Sequence, residues 1–153
     1  MMIPMTQFKY SRTSTLILLN KVDEELWDIQ PEGFPNTFRW NAGHIYSTAE
    51  DFLSEADDSY EVTLPEWDKL FLDGTRPSEW PETVPSKEDI MNELKKQEDR
   101  IEAFFKDKLN NEASSVRDVN GMKLSTIGAA LQFVTWHEGI HIGVLNALSK
   151  IIK

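Results

Sequence analysis

Four stretches of this chain place their core-type residues at steps of three and four, the period of an α-helix, and the breaks between them leave room for little else. From about Thr6 to Trp27 the series is Phe8, Thr15, Leu16, Leu19, Val22 and Leu26. Gln30-Pro31-Glu32-Gly33 ends it, because Pro and Gly both disfavour continuation. A second helix is expected to start near Thr37 and to carry Trp40, His44, Ile45, Thr48, Phe52 and Leu53. It dissolves in the acidic run Glu55-Ala56-Asp57-Asp58-Ser59. Ser86 and Asp89 have the Ser-x-x-acid form of a helix start, and Ile90, Leu94, Gln97, Ile101, Phe104 and Phe105 follow as the apolar face of a third helix. The fourth runs from about Ser125 to Lys150, with a stripe of Ile127, Leu131, Val134, His141, Val144 or Leu145, and Leu148.

The intervening segments matter as well. Tyr60 to Pro85 is broken by Pro65, Gly74, Pro77, Pro81 and Pro85, with room for one short helix from Pro65 to Leu72. A connection this long inside a small domain is commonly functional or a crossover. Asn120-Gly121, near Val116 and Val119, is a turn signal that allows a small hairpin. The expected fold class is therefore all-α, a single domain over residues 1–153. It reads as a four-helix bundle with a long crossover between the second and third helices.

Composition narrows the chemistry. The formal net charge is −10, which disfavours nucleic acid and anionic membranes, since phosphate binding needs clustered Lys and Arg. With no cysteine, disulfides, thiolate metal sites and a cysteine nucleophile are excluded. No apolar run approaches the roughly 18 residues needed to span a bilayer, and Met1 to Gln7 lacks the pattern of a signal peptide. A cytoplasmic location is the expectation.

The chain has three histidines, and two of them stand in Trp136-His137-Glu138-Gly139-Ile140-His141. At i and i+4 their rings lie about 40° apart around a helix and one turn apart along it, so both can reach one ion. Two core histidines hydrogen-bonded to polar neighbours are the alternative, because a buried imidazole requires a partner. His137-Glu138-Gly139-Ile140-His141 also has the H-E-x-x-H form of zinc proteases. Those need a third ligand downstream, and the twelve residues after His141 include no His, Asp or Glu. Glu138-Gly139-Ile140-His141 has the E-x-x-H form of di-iron bundles, but the motif is required twice, and Asn41 stands three residues before His44. A third ligand must come from earlier in the chain, where His44 sits mid-helix. Three neutral imidazoles on a divalent ion leave a position open, as in catalytic sites.

A mid-helix histidine in Trp40-Asn41-Ala42-Gly43-His44-Ile45 and the late His137-Glu138-Gly139-Ile140-His141-Ile142-Gly143 make the chain resemble the DinB/YfiT-like metalloprotein superfamily over essentially its whole length. By position His44, His137 and His141 match that family's metal ligands. Val144 departs from it, since many members carry Gln there. The resemblance implies a cytoplasmic bundle, often a homodimer, holding zinc or nickel. It also implies a metal-dependent thiol S-transferase or hydrolase that acts on a small molecule with a low-molecular-weight thiol such as bacillithiol. A non-catalytic bundle with a structural or vestigial metal, serving in stress response, is the other reading. Glu138, about 100° from His137 on the helix, is the candidate base, with a salt bridge as its alternative role. Asn41 is placed to orient a ligand or bind substrate, and Trp40 and Trp136 are candidates for the substrate wall. Gly43, Gly139 and Gly143 each neighbour a ligand, which suggests close helix approach or room for a substrate.

Overall fold

The computed structural model describes residues 3–153 and is mostly helical. Its four long helices are α1 (Ile3–Lys21), α2 (Phe38–Ala56), α4 (Lys87–Phe105) and α5 (Ile127–Ile151). A four-residue α3 (Asp68–Phe71) lies in the crossover, flanked by 3₁₀ turns at Pro65–Trp67 and Pro77–Glu79. Strands β1 (Glu112–Val119) and β2 (Met122–Thr126) form an antiparallel hairpin, the one the Asn120-Gly121 signal allowed, so the broadly all-α expectation holds with one small sheet added. Asn120 (φ 54) and Gly121 (φ 89) make its two-residue turn, the type that Asn-Gly favours. Arg117 holds β1 on α2 through Asp51 at 3.0 Å and Glu55 at 3.2 Å.

Local chemistry sets the helix ends. Thr37 accepts a hydrogen bond from the Trp40 N–H at 3.1 Å and caps α2. Ser86 and Asp89 cap α4 reciprocally, as the Ser-x-x-Asp spacing foretells. Thr126, one residue beyond the expected Ser125, caps α5 by accepting from Ala129 N at 3.0 Å. At the other end of the molecule α1 stops at Lys21, short of the expected Trp27, and a separate 3₁₀ turn covers Glu24–Leu26. The carbonyl of Val22, just past the end of α1, accepts twice: from Trp27 Nε1 at 2.9 Å and from Lys87 Nζ at 2.8 Å.

Helix α2 is the central element, buried at every residue from Thr37 to Glu50. It packs against α5, α4, α3 and β1, while α1 packs on α5 and α4. The apolar side chains divide into two clusters. One contains Trp27, Phe38, Tyr46, Trp67, Phe71, Ile90, Leu94, Leu145 and Leu148. The other contains Met5, Phe8, Leu53, Tyr60, Ile101, Phe105, Ile127, Leu131 and Val134. Each long helix passes from one cluster to the other through buried or half-buried polar residues: Arg12 and Thr15 on α1, His44, Ser47 and Thr48 on α2, Gln97 on α4, and His137, Glu138 and His141 on α5. A polar layer thus separates two apolar cores.

Candidate metal centre

In that layer α2 and α5 bring the three histidines together. Ring centroids lie 4.8 Å apart for His44 and His137, 4.6 Å for His44 and His141, and 4.5 Å for His137 and His141. One nitrogen from each ring falls within 4.8 Å of the others, a spacing that could hold a metal ion. The closest pair is His44 Nε2 and His137 Nε2 at 3.1 Å.

The surrounding groups set which nitrogens face inward. His44 Nδ1 lies 2.6 Å from the carbonyl of Phe71, which can only accept, so Nδ1 carries the proton and Nε2 keeps its lone pair. Asn41 Nδ2 donates to Thr37 O at 2.8 Å, which turns Asn41 Oδ1 toward His141 Nδ1, also at 2.8 Å. His141 Nδ1 is therefore the donor, and its Nε2 is left for an ion. Metal-bound histidines generally have this kind of outer partner, which fixes tautomer and ring orientation. Trp40 stacks on His44 at 4.3 Å with 15° between the rings, and its Nε1 donates to Thr75 Oγ1 at 2.8 Å.

Burial keeps the imidazoles neutral. His44 is pushed below its ordinary pKa chiefly by desolvation, while the Phe71 carbonyl and the Asp73 carboxylate pull the other way. Desolvation, with repulsion from His44, pushes His137 down to about 4. His141 falls to about 3 for the same two reasons, with His137 as a further repelling charge. Neutral imidazole is the form that binds a metal, so the donor set fits a divalent transition ion.

The other residues singled out in the sequence separate. Asn41 and Trp40 lie on the histidines, where they orient rings. Glu138 faces away. One hundred degrees further round α5, its carboxylate accepts from Arg12 Nε at 3.0 Å, from Arg12 Nη2 at 3.0 Å and from Thr15 Oγ1 at 2.7 Å. Both Arg12 and Glu138 are fully buried, and Arg12 Nη1 also donates to Leu94 O at 2.8 Å, joining α1, α4 and α5. Of the two roles considered for Glu138, the salt bridge is the one found. Trp136 is 60% exposed and reaches the site only through Phe133, which stacks loosely on His137 at 6.5 Å. Gly43 meets the close-approach expectation, since a Cβ there would penetrate the Phe71 ring. A Cβ on Gly139 or Gly143 would meet nothing, so those two mark no helix contact.

Sequence reasoning missed the Phe71 carbonyl, the Thr75 hydroxyl and the Arg12 partner of Glu138. A backbone carbonyl has no signature in sequence, and Arg12 stands where an apolar residue would continue the stripe of α1.

A family model of the DinB superfamily matches residues 7–145 of this sequence. None of the curated proteins compared with it matches. Among the described residues no helix is long and apolar enough to cross a membrane.

Proposed function

The chain belongs to the DinB superfamily, and from that premise we propose that it is a metal-dependent enzyme of the thiol S-transferase class, with one zinc or nickel ion on His44, His137 and His141. The observation that carries the reading is the convergence of three imidazoles, two of which have their outer nitrogens already engaged, His44 by the Phe71 carbonyl and His141 by Asn41. Such a bound ion supplies Lewis acidity that favours the ionised form of a thiol near neutral pH.

The chain's own residues do the rest. Asn41 and the Phe71 carbonyl hold two rings in their donor tautomers. Trp40 stacks on His44, and the Phe71 ring packs on Gly43 beside it, so that His44 is buried. Glu138 serves as the anchor of α5 on α1, and not as a base. Trp136, Phe133, Met122 and Leu124 line a groove of about 400 Å³ between the hairpin and α5, which suits the apolar part of a small electrophilic substrate. In the same reading α1, α2, α4 and α5 form a four-helix bundle, and the exposed Tyr10, Ile17, Trp136 and Ile140 on α1 and α5 face a second copy in a homodimer.

The test has two stages. Metal analysis of the purified protein is expected to give one zinc or nickel per chain in wild type and far less in His141→Ala. Conjugation of a model electrophile with bacillithiol, mycothiol or glutathione is then expected in wild type and lost in His141→Ala. Equal turnover by both, or none with any thiol, refutes the transferase assignment.

A further inference from the structure

We propose that Asp73 is a fourth protein ligand of the ion, approaching from the solvent side of the three histidines. The inference rests on the three-histidine reading and goes beyond it by assigning a residue from the crossover.

Asp73 Oδ1 lies 3.7 Å from His44 Nε2, the nitrogen whose lone pair faces inward. Two atoms bound to one tetrahedral zinc at bond lengths of about 2.0–2.1 Å stand roughly 3.3–3.4 Å apart. The His44 Nε2 to His137 Nε2 separation of 3.1 Å and the His44 Nε2 to Asp73 Oδ1 separation of 3.7 Å bracket that value. The group of side chains whose ligand atoms all fall within 4.8 Å of one another comprises the three histidines, so the exposed Asp73 side chain has to turn inward from its position beside His44 to complete the set. In the tautomer set by Phe71 the facing His44 nitrogen has no proton to give. The carboxylate and the lone pair are then two acceptors turned toward each other, an arrangement that a cation between them stabilises.

The placement of Asp73 is built. Phe71, two residues earlier, holds His44 Nδ1 through its carbonyl. Leu72 O then accepts from Thr75 N at 3.1 Å and from Thr75 Oγ1 at 2.6 Å, closing a tight turn around Asp73 and Gly74, the latter at φ +91. The Trp40 indole ties that turn back to α2 through Thr75 Oγ1. Asp73 therefore hangs between two anchors, both fastened to the Trp40–His44 stack. Its side chain is 98% exposed, and among the described residues no other hydrogen bond or ion pair engages it. Charge points the same way. Three neutral imidazoles leave both positive charges of a divalent ion uncompensated, and one carboxylate halves them. A ligand on an exposed turn is also the one a substrate could displace, or join by expansion to five-coordination, without disturbing the core.

The test is Zn²⁺ affinity of the full, metal-stripped chain, measured by competition with a chromophoric chelator at fixed pH and ionic strength. Asp73→Asn and Asp73→Ala are expected to weaken binding by at least about 10-fold, the lower end of what changes to outer partners cost. Glu79→Gln, an exposed acid in the same crossover, should change it by less than about twofold. The visible bands of the Co²⁺-loaded protein are expected to shift in Asp73→Asn and not in Glu79→Gln. Circular dichroism checks that each variant is folded. If His141→Ala loses the ion while both Asp73 variants bind as wild type, or if Glu79→Gln weakens binding as much as Asp73→Asn, the assignment of Asp73 is overturned and the three-histidine site stands. If His141→Ala also binds as wild type, the three-histidine reading itself falls.

Discussion

At the scale of single residues, the centre depends on groups that hold the imidazoles as much as on the imidazoles. Asn41 spends its amide hydrogen on Thr37 O and its oxygen on His141 Nδ1. Removing it frees the ring to rotate and to change tautomer. Asn41→Ala is expected to weaken Zn²⁺ binding by about 10- to 100-fold with little change in the helical dichroism, as chelator competition would show. Burial also predicts a pH dependence of the metal-free protein. In the unfolded chain His137 and His141 take up protons near pH 6.5, whereas in the fold they resist protonation down to about 4 and about 3. Between these limits the unfolded state binds more protons, so stability falls as pH falls. Urea midpoints at pH 7 and pH 5 should show that loss, and it should shrink when both histidines are replaced by Gln.

At the scale of elements, the contact between α2 and α3 transmits shape to the site. Gly43 lets the Phe71 ring lie against the α2 backbone, and the Phe71 carbonyl in turn fixes His44. Gly43→Ala forces that ring away and is expected to cost about 1–3 kcal/mol of stability, with weaker metal binding as a second effect. Gly139→Ala is the contrasting case. Its new methyl meets open space on an exposed helix face, so it should stabilise by about 0.5–1 kcal/mol. Denaturant unfolding of the two variants distinguishes a helix contact from a vacant position.

At the scale of the molecule, the polar layer between the two apolar clusters has two main parts, besides Gln97 on Tyr46 O and Glu50. Toward α2 it is the histidine cluster, and toward α1 and α4 it is the buried pair of Arg12 and Glu138. A buried ion pair contributes little net stability compared with apolar packing, but breaking it leaves an uncompensated charge. Arg12→Met is therefore expected to destabilise by about 3–5 kcal/mol, and the double change Arg12→Met with Glu138→Leu to recover most of that loss. If the double variant is no more stable than the single one, the pair does something besides neutralise itself.

The sequence alone determined that there are four long helices and where α2 and α4 begin, though not where α1 ends, because a 3.6-residue period and the caps at Thr37 and Ser86 are local properties. It also determined which histidines can share an ion, because the i, i+4 spacing fixes their relation on one helix and three is all the chain has. The hairpin was legible only as far as its Asn-Gly turn, since its length depends on α2 offering Asp51, Glu55 and Phe52 to Arg117. The tertiary structure alone decided what Glu138 does. One residue past His137 means a rotation of about 100°, and whether that direction meets solvent, substrate or Arg12 depends on which helix packs there. It likewise decided that a carbonyl at Phe71 and a carboxylate at Asp73 stand beside His44. Both lie in an irregular crossover with no period to read, one of them a backbone atom and the other a single acid among 26. Spacing along a helix is encoded in the chain, whereas proximity between helices arises only when they pack.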